Sequence, residues 1–407
     1  MTTLTIDELA AGGDGLGRDE QGRVTFVAGA AVGDRVKLEI TSAKRSFARG
    51  RIIEVIEAGP GRREAPCEYA GRCGGCQWLH VDYPHQIEAK TAILGSQLRK
   101  FVGEDVVIHP MIDVAAQELG WRRRARFAWV RARRSDRALV GFFEAGSKRV
   151  TPIDGCVQME PMLRRAHEAI VEQLAPRLTG KGSIVALAGK EGVTVAIEGP
   201  CEPAAAQALA EHEAIVGVRL GKRTFGLGAV TLEGGLRVAP DQFAQASSTG
   251  NEKLRQVVAA MVAKHPKAGS LRIAEFFSGV GNLTEAFVEH AEAVVAVDTV
   301  ATTMSLDGVR FIQGSAIDMA RSLPRTEEPF DVVVLDPPRV GARELMPWLA
   351  KLKASEIIYV SCDPATLVRD MTALAQKYAL VEVQAIDMMP QTAHFEVVAR
   401  LRRRDAA

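Results

Sequence analysis

Glu275-Phe276-Phe277-Ser278-Gly279-Val280-Gly281-Asn282 runs from an apolar strand through a glycine-containing turn towards a helix. Apolar strand candidates recur around it at 272–277, 293–298, 309–313, 331–335 and 356–360. They alternate with helical patterns at 251–262, 283–290, 343–352 and 364–376. Near-continuous apolar strands separated by helices predict a parallel sheet covered on both faces. In such a sheet, ligands bind at the carboxyl ends of the strands, where the polar residues of this region cluster.

The two glycines of the turn let backbone approach a ligand closely, and Asn282 offers a donor and an acceptor. A plain strand-to-helix turn would carry the same residues. The next strand ends in Asp298, where an acidic residue commonly hydrogen-bonds a ribose. Thr284 stands where a pyrophosphate fingerprint has its third glycine, which favours S-adenosylmethionine over a dinucleotide. After a further strand, the prolines of Asp336-Pro337-Pro338-Arg339 stiffen the loop that presents Asp336 and Arg339. Amine methyltransferases carry an aromatic residue after a similar proline pair; Arg339 in that place argues against an amine substrate.

Cys362, in Ser361-Cys362-Asp363-Pro364, follows the strand at 356–360 and opens the next helix. A buried structural cysteine is the plain reading. Its polar neighbours and the helix amino terminus, which lowers thiol pKa, point instead to a nucleophile. Farther on, His394 and Glu396 begin a closing strand at 397–401, where either residue could be a solvated edge group. Carbon 5 of a pyrimidine becomes nucleophilic only after something adds at carbon 6. A thiolate can make that addition, and a base must afterwards remove the carbon 5 proton. Cys362 and Glu396 suit those two roles.

The chain has 407 residues, enough for two or three domains, and 51 basic against 50 acidic residues. That balance argues against indiscriminate coating of nucleic acid and leaves room for local basic patches. No signal-like start or bilayer-length apolar run is present, so a cytosolic protein without membrane attachment is expected. In a reducing compartment the six cysteines are better ligands or nucleophiles than disulfide partners. Short strand runs at 24–27, 35–40 and 50–56 predict a small β-barrel over about 3–58. A helical pattern covers 86–101, and mixed strands and helices fill 121–236.

Cys67, Cys73 and Cys76 are followed by a distant Cys156. Zinc sites usually pair two short cysteine hooks, whereas one compact triplet with a remote fourth ligand suits an iron–sulfur cluster. In Trp121-Arg122-Arg123-Arg124-Ala125-Arg126-Phe127-Ala128-Trp129, strand alternation puts Arg122, Arg124 and Arg126 on one face and Phe127 and Trp129 on the other. A solvated charged face is the usual meaning of such a run. Beside a base-modifying pocket, contact with RNA phosphates becomes the stronger one.

The Ser361–Asp370 stretch (S-C-x-P-x-T-x-x-R-D), the D-P-P-R motif and the C-x5-C-x2-C spacing together resemble the RNA uracil-C5 methyltransferase family, in its cluster-containing branch acting on 23S ribosomal RNA. The resemblance spans essentially the whole chain. It implies an α/β multidomain protein with an N-terminal OB-like TRAM barrel (1–58), a central α+β cluster-bearing RNA-binding domain (59–236) and a C-terminal Rossmann-like methyltransferase domain (237–407), with helix 86–101 packing on the last. It further implies S-adenosylmethionine contacts at Gln245, Phe277, Asn282, Asp298, Ser315 and Asp336. A four-iron, four-sulfur cluster would be held by Cys67, Cys73, Cys76 and Cys156, with Cys362 as nucleophile and Glu396 as proton acceptor. The partner implied is RNA, 23S ribosomal or transfer RNA, bound by a monomer; a non-catalytic RNA-binding module is the alternative of another class. Asp298 stands where the family usually has glutamate, Ser247 replaces a common asparagine, and only ten residues separate Asp298 from Val309, short for a helical crossover.

Overall fold

The computed structural model describes residues 2–99, 101 and 106–405. Its first unit is a six-stranded sheet in the order Thr2–Thr5, Arg35–Ala43, Phe47–Glu57, Val24–Ala28, Gly15–Arg18, Glu8–Leu9. Alternating residues of these strands, with those of the turns between them, bury a small core of Leu4, Ile6, Val27, Ala30, Val36 and Leu38. Buried Asp34 ties down the exit from this unit by accepting hydrogen bonds from the Ala31 and Gly59 amides and from Arg62.

The central unit is a seven-stranded sheet, ordered Val150–Pro152, Leu139–Phe143, Arg124–Val130, Lys181–Gly189, Gly192–Glu198, Gly217–Leu220, Arg223–Gly226. Helices Pro161–Gln173 and Pro203–Ala210 supply the rest of its core. The cysteine segment is stitched to this sheet by a bridge between Cys73 and Glu144 and by the Gly74 amide donating to Phe143 O at 2.9 Å. A Cβ at Gly74 would lie 3.1 Å from the Phe143 carbonyl oxygen, so the close approach favours glycine there.

The third unit carries an eight-stranded sheet: Val309–Gln313, Ala291–Asp298, Leu271–Phe276, Val332–Leu335, Glu356–Ser361, Glu396–Arg403, Tyr378–Ile386, Val107–Ile108. Its first five strands are mutually parallel, and Glu396–Arg403 runs antiparallel to both neighbours. Residues 299–308 contain no helix, yet Ala291–Asp298 and Val309–Gln313 pair in parallel, so this crossover is a bare loop. Ala316–Thr326 forms a helix that the sequence reading did not single out. The helical pattern at 343–352 is helix only over Met346–Leu352.

Helix Tyr83–Leu98, far upstream in the chain, packs into the core of this third unit, burying Ile93, Leu94 and Leu98 among residues such as Leu367, Val383 and Phe395. The helical pattern was expected to continue to Phe101; Lys100 on that path lies outside the described residues. Asp82 caps the helix by accepting from the His85 amide. Lys90 projects from it into the interior and donates to Asp387 at 2.7 Å, both side chains being wholly buried. No helix of the described residues is long and apolar enough to cross a membrane.

Removing one member of a buried ion pair strands the other charge. Lys90→Met is therefore expected to destabilise the protein by about 3–5 kcal/mol, and Lys90→Met with Asp387→Leu to recover most of that loss, as read by urea unfolding.

Candidate active site

Strand Leu271–Phe276 is followed by Phe277, whose φ of 64° is left-handed, a conformation costing about 1–3 kcal/mol for such a residue. The Gly279 amide then donates to Asp298 at 2.8 Å, closing the turn against the neighbouring strand. Asp298 also accepts from the Val300 amide at 2.8 Å, so its carboxylate shapes the turn as well as facing the cavity. The cavity, about 640 Å³, is lined by Gln245, Phe277, Asn282, Asp298 and Asp336 among others. Ser315 is not on its wall, although Gly314 and Ala316 are; its hydroxyl caps helix Ala316–Thr326. Asn282 exchanges amide hydrogen bonds with Asn251, leaving only part of its capacity for a ligand. Ser247, in place of the common asparagine, caps helix Ser248–Ala263 by accepting from the Gly250 amide.

Glu275, beyond the site residues expected from the sequence, lines this cavity too. Burial, with the charges of Asp336 and Asp298 adding and the Thr284 hydroxyl opposing, pushes its carboxyl up to about 8. Strand position alone would have placed it there; its protonation depends on neighbours that only the fold supplies.

Cys362 and Glu396 line this cavity and also a second one, of about 430 Å³, so the two spaces meet at these residues. The junction is set by two strands that pair antiparallel, Glu356–Ser361 ending just before Cys362 and Glu396–Arg403 starting at Glu396. Asp370, fully buried, accepts from the Ala342 amide at 2.7 Å and the Tyr359 hydroxyl at 2.8 Å, locking the loop after Arg339 to the helix after Cys362. Gly341 is required at that contact: φ is 74°, and a Cβ would meet the Arg369 guanidinium at 2.4 Å.

The expected lowering of the Cys362 pKa by its helix is not found. Burial, then the charges of Glu396 and Asp336, push the thiol up to about 12 against the opposing pull of Arg339. The helix amino terminus is already taken, because Asp363 accepts the Ala365 and Thr366 amides at 3.0 Å. Glu396 is itself held well above the usual carboxylate range by burial and by the charge of Asp336, and Asp336 is raised by burial. In the free site burial thus biases all three acids toward their protonated forms.

Cys67, Cys73, Cys76 and Cys156 share the wall of the second cavity with Arg122, Arg124 and Arg126. Burial raises the Cys73 and Cys156 thiols and pushes Cys76 up to about 12, with Arg122 opposing in each case. The Gly75 amide donates to Cys73 Sγ at 3.4 Å. Among the described residues, no group of three or more His, Cys, Asp or Glu side chains is arranged to hold a metal ion.

The arginine run divides. Arg123 is buried, pairs with Glu233 and donates to Gln245 O at 2.9 Å, so it positions the cavity wall. Arg126 pairs with Glu198 at 2.6 Å and Arg124 donates to Gln242 O. Arg122 stacks over the Trp121 ring, 4.7 Å from its centroid.

Comparison with known proteins brings in relatives over nearly the whole length. Residues 2–53 match the TRAM domain and residues 321–404 the tRNA (Uracil-5-)-methyltransferase family. The chain is 33% identical to the 23S rRNA (uracil(1939)-C(5))-methyltransferase RlmD of Pseudomonas putida, over 97% of this chain and 92% of that one. It is 31% identical to an uncharacterized RNA methyltransferase of Gloeobacter violaceus, over 98% and 96% of the two chains. In fold it resembles the Pyrococcus abyssi tRNA (uracil-54, C5)-methyltransferase, solved with S-adenosyl-L-homocysteine, with a TM-score of 0.70 at 22% identity, covering 98% of this chain and 100% of that one.

A thiol held protonated reacts only through its small thiolate fraction, which grows about tenfold per pH unit below the pKa. Carbamidomethylation of Cys362 by iodoacetamide, followed by mass spectrometry of its peptide, is expected to be slow at pH 7 and to keep accelerating through pH 9. A plateau already at neutral pH would show a thiolate formed in the free protein.

Proposed function

The chain belongs to the RNA uracil-C5 methyltransferase family, and on that footing we propose that it methylates carbon 5 of a specific uridine in 23S ribosomal RNA. The observation that carries the reading is the junction: Cys362 and Glu396 belong to the walls of both cavities at once. A methyl donor in the first cavity and a uracil base entering from the second would meet there. Bound S-adenosylmethionine supplies an electrophilic methyl group and a positive charge. Gln245, Phe277, Asn282, Asp298 and Asp336, which line the larger cavity, are the residues that would hold it; Ser315 contributes through the turn it caps.

Cys362 sulfur adds to carbon 6 of the uracil, which makes carbon 5 nucleophilic enough to take the methyl group. Glu396 then accepts the carbon 5 proton; the electron pair restores the ring double bond and the sulfur leaves carbon 6. The raised carboxyls suit this sequence, since a base of pKa near the working pH both accepts and releases a proton readily. Positive charge arriving beside the junction lowers the pKa values of Cys362, Asp336 and Glu396 together, so the sulfur can give up its proton and Glu396 can be free as carboxylate when the carbon 5 proton must be taken. The uridine must leave its stack to reach the junction, and the arginine face of the second cavity suits the flanking phosphates. A ribosomal substrate, and cysteines not paired in disulfides, suit the cytoplasm as its place.

The four cysteines at 67, 73, 76 and 156 would hold a four-iron, four-sulfur cluster. Their fit rests on the donor set: four cysteines on one cavity wall, with the Gly75 amide and Arg122 at hand to stabilise sulfur charge, while the protons that burial holds on Cys73, Cys76 and Cys156 would have to leave as iron binds. Such a centre would fasten the cysteine segment and the RNA-facing wall, and it takes no part in the methyl transfer.

With S-adenosylmethionine and ribosomal or transfer RNA from a deletion strain, Cys362→Ala is expected to abolish 5-methyluridine. Glu396→Gln should leave protein covalently attached to RNA on a denaturing gel. Full activity of the first variant would end the mechanism, and product confined to transfer RNA would overturn the ribosomal target. Anaerobically purified protein should contain about four irons per chain and absorb visible light; bound zinc without a chromophore would refute the cluster.

A further inference from the structure

Gln391 lies five residues before Glu396, is wholly buried, and adopts φ 67°, a left-handed backbone that glutamine rarely takes. Nothing in the methyl-transfer chemistry needs an amide there. Its polar groups are nevertheless taken up by segments from the other end of the chain. Its backbone amide donates to Gln86 Oε1 at 2.8 Å, and Gln86 Nε2 donates back to Gln391 Oε1 at 2.8 Å. Arg63 donates to the same oxygen at 2.9 Å, and Gln391 Nε2 donates to Glu118 at 3.0 Å. Finally, the Trp78 amide, two residues after Cys76, donates to Gln391 O at 3.0 Å.

The clasp extends along the loop. Ala393 N donates to Gln77 Oε1 at 3.4 Å, and Gln77 Nε2 donates to Gly74 O at 3.1 Å, inside the cysteine hook. Gln86 also donates to the Trp78 and Val81 carbonyls, so one side chain staples the segment after the cysteines to the helix Tyr83–Leu98 and to the loop at 389–395. The strained backbone of Gln391 therefore persists because these partners over-determine it.

We propose that Gln391 is a positioning residue for the proton-removal step, and that the segment ending in Gln77 and Trp78 is its clamp. The inference rests on the methyltransferase reading given above. A base must sit within hydrogen-bond reach of the proton it takes, and a displacement of about 1 Å can cost a hundredfold in rate. Loosening the loop should thus impair the step in which Glu396 takes the carbon 5 proton, the pair re-forms the double bond and the carbon 6–sulfur bond breaks. Addition of Cys362 and methyl transfer, which precede it, should be little changed.

The test compares full-length wild type, Gln391→Gly and Gln77→Ala in single-turnover reactions with S-adenosylmethionine and substrate RNA. Glycine keeps the left-handed backbone unstrained while removing the amide. Covalent adduct is followed on denaturing gels, and cofactor and RNA affinities are measured beside it. We expect the methylated adduct of Gln391→Gly to live about tenfold longer or more, that of Gln77→Ala to lengthen less, and both affinities to stay within about twofold. Adduct lifetimes equal to wild type in both variants, with only lowered thermal stability, would overturn the proposal. Glu396→Gln is the control: if it traps no adduct either, the failure belongs to the assignment of the base and takes the clamp with it.

Discussion

The buried ion pair of Lys90 with Asp387 is the constraint around which the chain's two ends are organised. Bringing two charges out of water costs several kcal/mol apiece, and the contact is tolerated because each meets the other at hydrogen-bond distance, with the Met389 amide also donating to Asp387. It fixes helix Tyr83–Leu98, an element from the first quarter of the chain, against the end of strand Tyr378–Ile386. The loop that leads to Glu396 starts at that point, and Lys90 also reaches the Met389 carbonyl. The loop before Glu396 is thereby tied to the packing of a helix nearly three hundred residues upstream.

The junction itself is built at the expense of stability. Glu275, Asp336 and Glu396 all keep protons in the folded state that an unfolded chain would release above about pH 4. Because the unfolded state then binds fewer protons, these groups detract increasingly from stability as pH rises from that value toward their folded pKa values. Left-handed Phe277, on the wall of the larger cavity, and Gln391, on the loop leading to Glu396, add backbone strain. Hydrophobic packing of the parallel sheet on both faces offsets the cost, with strands such as Val332–Leu335 wholly buried. A carboxyl whose pKa burial has lifted toward the working pH suits proton removal from carbon.

Much of this was legible in order along the chain. The alternation of apolar strands with helical patterns specified a parallel sheet, and the glycine turn, Asp298, Asp336 and Cys362 were each found at a strand end because that is where polar residues follow an apolar run. The barrel-like start was legible from short alternating strands. Less visible were the crossover at 299–308, where no local pattern replaces the missing helix, and the helix Ala316–Thr326, whose exposed face and internal Pro324 blur its period. The Cys362 thiol departs from what its helix position implies because the Asp363 cap consumes the free amides and buried carboxyls lie close to the sulfur.

The sequence by itself determined the class of fold and the motifs, and it singled out Cys362 and Glu396 as candidates for addition and proton removal, since these follow from residue type and local period. Only the tertiary structure decided that two cavities meet at Cys362 and Glu396, that the four cysteines and the arginine face share a wall with them, and that Gln86 grips Gln391 across 305 positions of sequence. The reason is physical: burial, electrostatic field and hydrogen-bond partnership are properties of spatial neighbours, and those neighbours are brought in from parts of the chain that no local pattern relates.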